Sequence, residues 1–120
     1  MNAEIKKDDW MHFIKEFNDN YHLKPVKLEV FDDCGIQTEA NILPFNAIDI
    51  ELKGKNSPTV NLNLGEDNPD GRHLFHNINN VTRIHSKFDE YGDIEALEIE
   101  NQNSSKTLLT FVHLEELGKD

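Results

Sequence analysis

Cys34 is the only cysteine in the chain, so an internal disulfide is excluded and a reducing compartment is implied. Cations are also scarce: 12 Lys and Arg stand against 23 Asp and Glu, for a formal charge of −11. That balance argues against direct binding of nucleic acid or an anionic membrane, because the phosphate groups would be repelled. It permits a basic protein partner, although net charge of this kind serves solubility first. No apolar run approaches the roughly 20 residues of a membrane span. The N-terminal MNAEIKKDDW has no apolar core of the kind a signal peptide needs, so the expectation is a cytoplasmic protein. Internal repeats, low-complexity tracts, a Gly-rich phosphate loop, GxSxG and CxxC are all missing. Without a secretory signal, the glycosylation patterns at Asn80-Val81-Thr82 and Asn103-Ser104-Ser105 carry no weight.

What the chain does have is patterning. A hydrophobic content of 37% in 120 residues suits one folded domain with one core. Trp10, Phe13, Ile14, Phe17 and Tyr21 fall at helical spacing behind Asp8 and Asp9, carboxylates placed for a helix N-terminus. This predicts an amphipathic helix over about 9–19 whose aromatic stripe is core.

Two-residue alternation predicts strands over about 26–31, 36–43, 47–53, 59–64, 81–88, 94–100 and 106–113. The clearest case is Ile48, Ile50 and Leu52, followed after a Gly-Lys-Asn-Ser-Pro turn by Val60, Leu62 and Leu64. A five-residue loop there pairs Leu52 with Val60, Ile50 with Leu62 and Ile48 with Leu64. Leu43-Pro44-Phe45 breaks the alternation, and because Pro44 cannot donate to a ladder, a sheet corner or bulge is expected under the helix. A four-residue turn at Asp89–Gly92 sets Ile84 against Leu97 and Arg83 against Glu98. Leu108 and Leu109 make the last strand apolar on both faces, which calls for cover on both. The segment near 72–79 admits a short second helix, with Leu74, Phe75 and Ile78 on one side, and 115–120 reads as a frayed tail. The fold class expected is therefore α+β: an N-terminal helix on a mainly antiparallel, meander-like sheet of six or seven strands.

Candidate sites are few. His73 and His76 would sit one turn apart on that short helix, and with His85 and Asp70 they suggest a metal site or a small metal-dependent enzyme. No glutamate stands between them as in HExxH, so surface or capping histidines are the favoured reading. Glu66, Asn68, Asp70 and Gly71 begin like a calcium loop, but the twelfth position is Asn77 and no helix precedes it. Cys34, at a hairpin tip without a neighbouring base, is a weak nucleophile candidate. The carboxylates Asp32, Asp33, Glu66, Asp67, Asp70, Asp89, Glu90 and Asp93 form the acidic surface that a basic partner would meet. The leading expectation is a binding or regulatory protein, not an enzyme, with no catalytic residue and no cofactor. It would act through protein contact as a monomer, or as a homodimer through an exposed edge at Val26–Val30 or the final strand. A third reading places an apolar ligand between helix and sheet.

Several landmarks together resemble one family. They are Trp10-x-x-Phe13, Leu28-Glu29-Val30, Gln37-Thr38-Glu39-Ala40 leading to Leu43-Pro44-Phe45-x-Ala47-Ile48, His73-Leu74-Phe75-His76, and Leu97-Glu98-Ile99. Over nearly its whole length the chain is similar to small bacterial proteins catalogued as a domain of unknown function. It departs from their pattern at Asn77-Ile78-Asn79-Asn80, where a proline is expected, and in its longer acidic loop at Glu66–Gly71. The resemblance implies a single bacterial, cytosolic α+β domain and carries no catalytic residues with it.

Overall fold

The computed structural model describes residues 2–66 and 70–113, which leaves Asp67 of the acidic set and the expected tail at 115–120 outside the described residues. The chain runs β1 (Asn2–Ile5), a 3-10 turn (Lys7–Asp9), α1 (Trp10–Tyr21), β2 (Pro25–Asp32), β3 (Gly35–Glu51), β4 (Thr59–Gly65), β5 (His73–Ile78), β6 (Val81–Phe88), β7 (Ile94–Asn101) and β8 (Lys106–Phe111). The described strands form one sheet in the order β1-β6-β7-β8-β2-β3-β4-β5, antiparallel at every pairing. Two meanders, β2 to β5 and β6 to β8, are thus joined through β2 and β8.

The α+β class is as expected, but the described residues form eight strands, not six or seven. The two strands expected at 36–43 and 47–53 are the single strand β3, while β1 and β5 are additional. The second helix expected near 72–79 is instead β5. Its Leu74, His76 and Ile78 turn toward the core, and His73, Phe75 and Asn77 face solvent. An inward histidine hid that alternation and left a pattern that also fits a helix.

The helix stripe is core. Trp10, Ile14 and Phe17 are buried, and Phe13 and Tyr21 pack against the same cluster. Burial of the three stabilises by roughly 1.5–3 kcal/mol each. Phe17 meets Phe45 edge-on at 5.1 Å, and Tyr21 lies 4.7 Å from Phe111. Trp10 donates its indole N–H to the Ile5 carbonyl at 2.9 Å, tying the helix to β1. Asp9 occupies the cap position without a side-chain cap bond.

The phase break in β3 is a change of partner. Residues up to Pro44 pair with β2, while from Phe45 onward the strand pairs with β4 on its other side. Past the break, the edge that β2 leaves is taken up by the end of α1 and the residues after it. The Phe45 N–H donates to the Lys24 carbonyl (2.8 Å), and the Leu23 N–H donates to the Phe45 carbonyl (2.5 Å). The Asn18 side chain then accepts from the Ile48 N–H (2.8 Å) and donates to the Ile48 carbonyl (2.9 Å). One helical amide thereby stands in for a neighbouring strand.

Two expected registers shift by two residues. Ile50 faces Val60 and Ile48 faces Leu62, so the loop spans residues 52–58 and Leu52 is left exposed. Ile84 faces Ile99 and Arg83 faces Glu100, around a turn that takes in residues 89–93. A two-residue shift keeps each side chain on its face, so hydrophobic patterning cannot choose between these registers; turn length does. In the first turn Ser57 Oγ donates to the Gly54 carbonyl (2.7 Å), and in the second Asp89 Oδ1 accepts from Tyr91 and Asp93.

Leu109 is buried on the helix side of β8, whereas Leu108 is half-buried on the outer face opposite Glu29 and Glu98. No described second helix covers that face. The edges of the sheet are β1 and β5, which corrects the expectation that β2 or the final strand would be exposed, since both are interior.

Candidate functional site

The strand periodicity that places the histidines also separates them. His73 and His76 project from opposite faces of β5. His85 lies on β6, where its Nε2 is 3.5 Å from Glu100 and 4.0 Å from Glu4; Glu100 also holds Lys106 at 3.3 Å. Asp70 is in the loop before β5 and is exposed. Among the described residues, no group of three or more His, Cys, Asp and Glu side chains is placed to hold a metal ion. Cys34 is exposed in the β2–β3 turn, where its N–H donates to Asp32 Oδ1 at 2.8 Å.

The acidic residues fall into three groups. Phe31 pairs with Lys106 and Val26 with Phe111, so the turns β2–β3 and β7–β8 share one end of the sheet. Asp32 and Asp33 are at that end. Asp89, Glu90 and Asp93 are at the other, in the β6–β7 turn. Glu66 and Asp70 flank the start of β5, where Glu66 accepts from Arg72 Nε at 3.1 Å.

Two hollows accompany these ends. A cleft of about 580 Å³ beside the end of α1 is walled by Tyr21 and Phe111, with Lys24, Asp89 and Asp93 at its rim. It is open and mixed in charge. The apolar interface between helix and sheet is filled by its own side chains, with Trp10 and Phe17 each 2% exposed. A pocket of about 250 Å³ lies between the second half of β5 and the β7–β8 turn, floored by Val30 and Thr107. Its wall is shaped by Asn101, whose Oδ1 accepts from Asn103 and Ser105 N–H at 3.1 and 3.0 Å. His76 faces this pocket, and burial lowers its pKa from 6.5, opposed by the nearby Glu39 carboxylate. The imidazole is therefore biased toward its neutral form.

The edge strand β5 was missed from sequence, and it is the most distinctive surface of the fold. Edge strands are usually blunted with lysine, proline or bulges. β5, His73-Leu74-Phe75-His76-Asn77-Ile78, has none of these and carries no Asp, Glu, Lys or Arg. Its six pairs with β4 run without a register shift. Phe75 projects from it and is 75% exposed. Opposite Phe75 stands Asn63, whose buried Oδ1 has no hydrogen-bond partner among the described residues. Among the described residues no helix is long and apolar enough to cross a membrane.

No curated protein and no solved structure matches the chain. The profile of one family matches residues 1–119, which covers the helix, the β3 corner and every described strand. The chain belongs to that family, the Family of unknown function (DUF5335).

Proposed function

We propose that this chain is a non-enzymatic binding module that takes an extended segment of a partner protein onto the open edge of β5 as a ninth strand. The observation that carries this reading is the edge itself: a regular, uncharged strand with an exposed phenylalanine at its middle. Main-chain pairing supplies affinity in such an arrangement, and side chains at alternate positions supply selectivity. The partner segment has a neutral, apolar middle to lie along Phe75 and basic flanks to meet the acidic stretches at either end of the strand's surroundings, Glu66 and Asp70 on one side and Asp32 and Asp33 on the other. A second copy is disfavoured as the occupant, because each chain carries a charge of −11. The working form is then a monomer, and a single exposed cysteine suits a reducing, cytoplasmic compartment.

The test is site-specific photo-crosslinking in the native host with benzoylphenylalanine at position 75, and as control at position 91, which is 81% exposed in the β6–β7 turn at the opposite end of the sheet from Asp32 and Asp33. A discrete adduct from position 75 alone is expected, and the crosslinked peptide, once synthesised, should bind the wild type and not Phe75→Lys. Because Phe75 is exposed, Phe75→Lys should change folding stability by no more than about 0.5 kcal/mol. Equal adducts from both positions, or equal binding by Phe75→Lys, would refute the edge as the recognition element.

A further inference from the structure

The pocket at the end of β5 differs from the rest of the surface in its chemistry. Charged residues make up 29% of the chain, yet among the described residues none of the side chains lining this pocket is Asp, Glu, Lys or Arg. They are asparagines, Ser105, Thr107 and His76, with Val30 and Ile78 as apolar ground. Amides, hydroxyls and a neutral imidazole each both donate and accept hydrogen bonds, so the lining can pair with a ligand that does the same. An anion entering here would find no cationic lining side chain, and Glu39 acts on His76 from nearby. A cation would find no carboxylate in the lining. Among the described residues no aromatic side chain lines the pocket, so a flat base has nothing there to stack upon. Its volume of about 250 Å³ lies below the roughly 300–1,000 Å³ of pockets for drug-sized molecules.

We infer that this pocket binds an uncharged, hydroxyl-rich ligand the size of a single sugar ring, held by Asn79, Asn103, Ser105 and Thr107 with its less polar face toward Val30 and Ile78. The β7–β8 turn is prearranged for this by Asn101, which fixes the backbone at Asn103 and Ser105. The Gln102 N–H donates to the Asn80 carbonyl at 2.9 Å, which locks that turn to the link after β5. The site needs no added strand on β5, so it stands apart from the edge reading.

The experiment is an NMR titration of the isotopically labelled full chain with N-acetylglucosamine, a neutral ring with hydroxyl and amide groups. Glucosamine and glucuronate serve as its cationic and anionic counterparts. Saturable shifts are expected at the amides of Asn79, Asn103, Ser105 and Thr107, with binding of the charged sugars at least tenfold weaker. The double variant Asn79→Ala/Asn103→Ala, at two exposed positions, should lose at least tenfold in affinity with its unfolding transition unmoved, while Phe75→Lys should titrate like the wild type. No saturable shift with the neutral sugar, an equal response to the charged ones, or an undiminished response in the double variant overturns the proposal.

Discussion

Replacing Asn18 by alanine sets two physical effects against each other, and the sign of the outcome decides between them. Asn18 lies inside α1, where alanine is the better helix former by up to about 0.7 kcal/mol. Propensity alone therefore predicts a more stable protein. The structure predicts the reverse, because the Asn18 amide makes two hydrogen bonds to the backbone of Ile48, at 2.8 and 2.9 Å. These are the bonds a neighbouring strand would have made, at a point where β3 has left β2. Each contributes about 0.5–1.5 kcal/mol, and more where the backbone group is stranded without water. After the gain in propensity is subtracted, Asn18→Ala should lose about 0.3–2.3 kcal/mol. In urea this appears as a lower midpoint with an unchanged slope, and on heating as a fall of roughly 3–5 °C for each kcal/mol in a chain of this size. An Asn18→Ala variant as stable as the wild type, or more so, would show that the clamp contributes nothing and that helix packing alone holds the corner.

Gly65→Ala places a Cβ 2.7 Å from the Arg72 carbonyl and 2.5 Å from His73 Nδ1, at a backbone φ of +155°. The ring can move but the carbonyl is held at the β4–β5 turn by its bond from the Glu66 N–H, so a loss of about 2–4 kcal/mol is expected by denaturant titration; a loss under about 0.5 kcal/mol would contradict the tight approach. His76 gives a pH signature. Burial lowers its folded-state pKa below the 6.5 of the unfolded chain, so above that value the group is neutral in both states and contributes no pH dependence. As pH falls below 6.5 the unfolded chain takes the proton first, and stability is lost until pH passes below the folded-state value. The stability of the wild type relative to His76→Gln should therefore decline between about pH 7.5 and 5, and a flat or rising difference would place His76 in contact with solvent or a carboxylate that outweighs its burial.

The functional surface was less legible in the sequence than the core, for a reason visible in particular residues. Trp10, Ile14 and Phe17 announce their buried face because their spacing repeats, and Leu43-Pro44-Phe45 announces a corner because proline cannot pair. β5 announces nothing. Its inward set is Leu74, His76 and Ile78, its outward set includes Phe75, and a phenylalanine outside with a histidine inside erases the alternation that marks a strand. The four residues of β1 are too few to show any period, and only pairing with β6 makes them a strand. Asn18 reads as an ordinary polar residue on the wet side of a helix. The pocket wall at Asn101 to Ser105 reads as an ordinary turn.

What the amino-acid sequence determined by itself is which side chains of α1, β4 and the second half of β3 face inward, because strand and helix periods are local properties and burial of each large side chain is worth more than thermal energy. It also determined where the chain must bend, because a missing N–H is a local fact. The tertiary structure alone decided which strands distant in the chain are neighbours, which registers are taken, and which strand is left at the edge. Registers two residues apart bury the same faces, so the choice falls to turn lengths, to the Asn18 bonds and to the seating of α1 over Phe45 and Phe111. The edge at β5 and the uncharged pocket beside it follow from those long-range choices.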